Sequence, residues 1–418
     1  MTGVSFALGA VARYSLLSTS YGTTLDYYQL STPATSAPCL HEGHHLSNHG
    51  HDPLAIGGAC APQPPLLIVT LATLCSSLQL YVLLAGDLLC AVLLLHAAPA
   101  PTVGVFAAVA HLLAPWSIAA SATGSSTMLH GLAMLVMAHL GARSHALAAM
   151  AAIAIACMLA PDAVCMIFAV VALSNAAGSP TLQVSCPEIA TIAVVRCASA
   201  FGLAMCTGLA LLAPQFGGTS HLLRRTHGAW VDAEPSYVTT PNVGLWWHLF
   251  TQAFLPIRPT FVLAMHTLPR LCVPCLALAV LTHPPPTSQT KSTPAIAAPS
   301  LRRVALSHVV LTVTKLGPTV PEIILALAFV GSQLDERFLI NRLLPLACIA
   351  IAIAVVTIRS LLLRWFDARE LNANFYYAAT MLHGTGHLLI AYELSAAPMR
   401  NDAEARADCN VTCVQRAC

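Results

Sequence analysis

"LLAGDLLCAV", residues 83–92, puts one carboxylate, Asp87, inside an otherwise uncharged apolar stretch. An acid in such a run is functional by default, or is merely solvated if it lies near a helix end. The surrounding run covers 85–113, more than the roughly 20 residues that cross a bilayer as a helix. Comparable runs recur at 3–20, 65–83, 116–140, 145–160, 162–178, 188–213, 245–282, 303–332, 343–363 and 375–397. Some are long enough for two passes. The pattern predicts an all-α, polytopic integral membrane helix bundle with roughly 10–12 transmembrane helices, organised as a single multi-pass domain over 1–418. The first run lacks a small-residue cleavage site and is expected to be a retained helix.

Composition agrees. Charged residues make up 9% of the 418 and hydrophobic residues 57%, whereas a soluble domain needs about 25% charged residues to clothe its surface. The net charge is +2 and the only lysines are Lys291 and Lys315, which excludes a nucleic-acid footprint. Of fifteen cysteines, Cys75, Cys90, Cys157, Cys165, Cys197, Cys206 and Cys348 lie inside apolar runs and read as small hydrophobes. Cys272 and Cys275 form a lone C-x-x-C without the second pair of a zinc ribbon.

Four polar segments interrupt the spans: 21–64, 214–242, a proline- and threonine-rich linker at 283–303, and a tail at 398–418. The run 303–332 is itself broken by "KLGPTVPE", Lys315 to Glu322. Proline removes a backbone donor and glycine unwinds a helix, so unpaired carbonyls are expected there. Such a break is either a functional feature facing a wet cavity or a plain loop between short helices.

Within 21–64, "HEGHH" (His41 to His45) satisfies H-E-x-x-H, the zinc-protease pattern. Two histidines chelate one ion only if a helix presents i and i+4 on one face. Turn-forming residues flank the motif and Gly43 interrupts it, so it reads as a loop without metal-protease function. No catalytic metal site and no cofactor are expected, and a weak, adventitious metal site made by the histidines of 41–51 is left open.

Without its histidines the same segment reads Glu42-Gly43-x-x-Leu46, Gly50-x-x-Pro53 and Pro65-Leu66, preceded by Arg13 and by Thr32-Pro33 with Ser36. Further blocks follow in order: Asp87; "APWSIAASATGSST" (114–127); "TTPNVGLWWHLFTQAF" (239–254); "KLGPTVPEIILALAF" (315–329); and "LNANFYYAATML" (371–382). This series resembles the U subunit of the GPI transamidase, the PIG-U family, over nearly the whole chain. Gln252 stands where the family has glutamate, and Glu322 where it has aspartate.

The resemblance implies a GT-C-like, non-catalytic subunit in the endoplasmic reticulum membrane. It would recognise and position the glycosylphosphatidylinositol (GPI) lipid for attachment to precursor proteins, with the catalytic cysteine on a partner subunit. The expected lipid contacts are Asn372, Asn374, Phe375, Asn242, Trp246 and Thr319. At a helix start, amides suit phosphate or sugar hydroxyls, although asparagine there also serves as a cap. Trp247 reads as an interfacial anchor. The alternative is a GT-C-type mannosyltransferase of GPI biosynthesis. It would need an acidic pair in the first loop, where Asp26, Glu42 and Asp52 stand isolated. A transporter is third, without internal symmetry to support it.

Overall fold

The computed structural model describes residues 2–17, 30–32, 35–52, 64–74, 76–143, 145–178, 187–226, 241–282, 297–333, 343–366 and 368–393. Every regular element among them is helical. The tail 398–418, most of the linker 283–303 and residues 227–240 of the second polar segment lie outside these residues, as do the side chains of Cys272 and Cys275. The chain divides into two compact units, Met1–Gln333 and Leu334–Cys418.

The first unit opens with α1 (Thr2–Leu17), α2 (Ala37–Asn48), α3 (Pro65–Thr70) and α4 (Ser76–Ala97). Next come α5 (Pro101–Leu113) and α6 (Pro115–Ala122), then α7 (Thr127–Ala142) and α8 (Ala146–Leu159). After a 3-10 turn over Pro161–Met166 it continues through α9 (Ile167–Gly178), α10 (Pro187–Leu212) and α11 (Thr219–Thr226). It closes with α12 (Trp247–Gln252), α13 (Arg258–Thr282), α14 (Ala297–Thr314) and α15 (Val320–Gly331). The second unit contains α16 (Leu343–Phe366) and α17, residues 373–393.

Proline positions many of these helices. It occupies the first turn of α2, α3, α5, α6 and α15, where no intrahelical N–H is lost. At Pro115 it also bends the path. Ala114, forced out of the α region by the following ring, is extended, and α5 and α6 meet at 51°. Among the described residues, three helices are long and apolar enough to cross a bilayer alone: Leu78–Ala97, Val195–Phe216 and Leu343–Trp365. The α5–α6 pair adds a bent crossing, and α7, α8 and α15 are shorter apolar helices.

The core lies where α4, α7, α8, α9, α14 and α15 pack on one another. Close approach relies on small residues. A Cβ at Gly131 of α7 would collide with Leu325 Cδ2 of α15. Within the second unit, a Cβ at Gly386 would sit 2.7 Å from Ile351 Cγ1, so α17 lies closely on α16 at that level.

One expectation fails outright. The histidine-rich stretch is not a loop: Ala37–Asn48 is a helix. Pro38 starts it, and Cys39, Leu40 and Gly43 are buried along one side. Cys39 is also disulfide-bonded, a tether that could not be inferred from the turn-forming flanks. Packing supplied what local propensity lacked.

Candidate functional site

Two buried polar assemblies organise the first unit. One surrounds Asp87, which is 0% exposed and therefore not solvated. Arg13 of α1 donates from Nε to Asp87 Oδ2 at 2.6 Å, and His111 Nε2 of α5 lies 2.8 Å from Oδ1. Ser121 Oγ of α6 donates to Oδ2 at 2.7 Å. The remaining guanidinium hydrogens reach the carbonyls of Gly9 and Leu112 and Ser117 Oγ, at 3.1, 2.6 and 3.1 Å. Four helices thus converge on one charge pair whose hydrogen-bonding capacity is largely used. A buried carboxylate survives this way, paired and hydrogen-bonded. The assembly is a clamp, with no exposed atom to offer a ligand.

The second assembly is the break itself. α14 ends at Thr314 and α15 begins at Val320, so Lys315–Thr319 are the interruption expected from the prolines. Its carbonyls find partners in the segment before α12. Trp246 Nε1 donates to Thr314 O at 3.0 Å, and Asn242 Nδ2 donates to Leu316 O at 3.3 Å. Asn242 Oδ1 accepts from Gly244 N at 2.7 Å, closing a tight turn. A Cβ on Gly244 would lie 2.7 Å from both Asn242 Oδ1 and Pro318 Cδ, so only glycine fits against the break. The break is thus buried in protein.

Thr319 caps α15 in a reciprocal capping box. Its Oγ1 accepts from Glu322 N at 3.4 Å, and Glu322 Oε2 accepts from Thr319 N at 3.1 Å. Lys315 Nζ donates to Glu322 Oε1 at 2.8 Å. Glutamate at this position therefore serves both the cap and the lysine.

A third stretch joins them. Thr35 receives Ser126 N at its carbonyl (3.0 Å) and Thr127 Oγ1 at its own hydroxyl (3.0 Å). Ser125 Oγ lies 2.8 Å from Thr127 Oγ1. A Cβ on Gly317 would touch the Thr32 methyl at 3.5 Å, which puts Thr32 beside the break.

Of the expected contacts, Asn242, Trp246 and Thr319 are brought together here, with polar atoms engaged in the scaffold. Asn372, Asn374 and Phe375 lie in the second unit at the start of α17. Asn372 Oδ1 accepts from Asn374 N at 3.2 Å, so Asn372 caps the helix. The Asn374 side chain is exposed, and Phe375 is 56% exposed. Behind them Tyr376 packs on Trp365, ring centroids 5.9 Å apart. Trp247 is no interfacial anchor. It is 2% exposed, with its ring edge-on to His248, because α12 turns it inward.

The blocks that converge at the break (Thr32 with Thr35, 114–127, 241–254, 315–329) are distant in sequence. A family model whose description is GPI transamidase subunit PIG-U matches residues 7–383. The chain belongs to the PIG-U family. No curated protein matches the chain significantly. Membership in the PIG-U family makes it a membrane-embedded subunit of the GPI transamidase, with other subunits of that complex as its partners. The PIG-U match ends at residue 383, inside α17, and takes in both Asn372 and Asn374.

His111 and Ser121, which complete the Asp87 clamp, were not singled out from the sequence. Arg13 could have been paired with Asp87, since it is the one charge in the run 3–20 and Asp87 is an acid needing a counterion.

Proposed function

We propose that this subunit positions the GPI lipid for transfer and makes no bonds itself, the catalytic cysteine residing on another subunit. The observation that carries the reading is the start of α17. There a capped helix N-terminus presents Asn374 and Phe375 to the surroundings. A helix N-terminus favours phosphate, an amide donates to sugar hydroxyls, and an exposed ring beside them suits the greasy part of the same molecule. Asn372 acts by fixing that turn. Asn242, Trp246 and Thr319 contribute by holding the broken segment in shape. The Cys39 disulfide supports an oxidising compartment for the α2 side, as the lumen of the endoplasmic reticulum supplies.

The mannosyltransferase alternative has less support. Glu42 and Asp52 of the first segment lie ten positions apart, and Asp52 pairs with His221 at 2.9 Å.

Replacing Asn372 and Asn374 together with alanine should leave complex assembly intact and weaken GPI capture. The readouts are subunit co-purification and surface display of GPI-anchored proteins. Normal display from an assembled double variant would reject the reading, as would mannose transfer from a dolichol donor by the purified chain.

A further inference from the structure

The histidine stretch left without a role in lipid positioning becomes chemically specific once it is a helix. His41, His45 and His49 follow at i, i+4 and i+8 along and just beyond α2, and all three are exposed. On a helix, i and i+4 side chains are neighbours with Cβ atoms about 5–6 Å apart, within the span of two imidazoles sharing an ion at Zn–N distances of about 2.0–2.1 Å. The opposite side of α2 is held by the Cys39 disulfide and by buried Leu40 and Gly43, so the row is presented on an anchored element.

The rings are prepared unequally. His49 Nδ1 lies 2.8 Å from the His45 carbonyl, to which only an N–H can donate. That fixes the tautomer and leaves Nε2 with its lone pair free, the arrangement in which metal-binding histidines are commonly held. The His45 and His49 ring centroids are 4.1 Å apart. Neither the His41 nor the His45 ring makes a hydrogen bond, whereas His44 Nε2 lies 3.1 Å from Asn48 Nδ2 and is engaged.

We propose that the His41–His45–His49 row of α2 chelates one divalent transition-metal ion of the zinc class through two imidazoles, with water completing its coordination. His45, adjacent to both others, is the shared ligand. Imidazole pairs suit Zn²⁺, Cu²⁺ and Ni²⁺, not the hard cations Mg²⁺ or Ca²⁺. Among the described residues no three metal-type side chains gather. The site is therefore a binding chelate without the three protein ligands a catalytic zinc requires.

The test uses the full chain without an affinity tag, in detergent, titrated calorimetrically with Zn²⁺. One saturable site is expected. His45→Ala should weaken it by at least about tenfold, the loss seen even for outer-shell partners of bound metals, and His44→Ala should leave it unchanged. Zn²⁺ should also slow proteolysis after His49, with the protection reversed by a chelator and missing in the triple variant His41→Ala/His45→Ala/His49→Ala. Mg²⁺ should give no heat of binding. Three results would overturn the proposal: equal weakening by His44→Ala and His45→Ala, saturable binding retained by the triple variant, or uptake of many ions without saturation, which is an adventitious ion only. Because the readout is metal uptake, the result is independent of GPI capture.

Discussion

Asp87 shows what a single charge demands in a chain this apolar. Its partners come from α1, α5 and α6, so the carboxylate dictates where three helices end up around α4. Removing one member of a buried pair strands the other, which costs about 3–5 kcal/mol, whereas replacing both with apolar groups of similar size is often neutral. Asp87→Leu is therefore expected to unfold the first unit or lower its melting temperature sharply in detergent. Arg13→Met with Asp87→Leu should recover most of the loss. Thermal unfolding followed by size-exclusion chromatography measures both. If the double variant is as unstable as the single, orientation by the His111 and Ser121 hydrogen bonds outweighs charge pairing. Gly244 poses a steric version of the same question. Alanine there meets Asn242 Oδ1 and Pro318 Cδ at 2.7 Å, so Gly244→Ala should detach the turn from the break and destabilise by about 1–3 kcal/mol, the range for overpacked sites.

At the level of elements, local chemistry decides where helices start, and packing decides whether marginal ones exist. α15 begins at Thr319 because threonine and Glu322 satisfy each other's backbone donors. Thr319→Ala should cost about 1 kcal/mol, and Glu322→Gln somewhat more than the cap alone, since Lys315 loses its ion pair. Both are read as changes in unfolding midpoint. The roughly 10–12 spans expected compare with three single crossing helices and one bent pair among the described residues. The all-α, apolar character of the chain, the break at 315–319 and the start of α17 were legible in the sequence, because proline, glycine and apolar composition act locally. α2 was not. Its flanks carry turn chemistry, and the forces that hold it helical, a disulfide at Cys39 and burial of Leu40, reach it from other parts of the chain. The candidate site was legible in part for the same reason. Asn242, Trp246 and Thr319 could be picked out one by one, but their hydrogen bonds to one another's segments depend on approaches across 70 residues or so.

For the molecule as a whole, the solvent is the decisive variable. Leu203 and Leu211 on α10 are each 71% exposed, Val356 on α16 is 76% exposed, and Phe106 on α5 is 75% exposed. In water such side chains would form an aggregating surface. Against lipid or an apolar subunit they need no further covering, because a helix satisfies its own backbone hydrogen bonds. The contrast with α4 is informative: 44% of its spanning window is buried within the chain, against 17% for α10 and 22% for α16. α4 carries the clamp at Asp87 and is the most covered of the three, while α10 and α16 leave most of their spanning windows exposed to lipid or to partner subunits. An arginine placed mid-span on α10 tests this directly. On a soluble surface, Leu→Arg at an exposed site changes stability by less than about 0.5 kcal/mol. At the centre of a membrane helix the same charge costs about 2.5–3.5 kcal/mol of insertion free energy. Leu203→Arg should therefore cut integration of α10 roughly a hundredfold in a reporter-glycosylation assay. Thr219→Arg, beyond the end of that span, should insert normally. Equal insertion of the two variants would mean that the exposed side of α10 meets water, and the reading of this chain as lipid-solvated would fail with it.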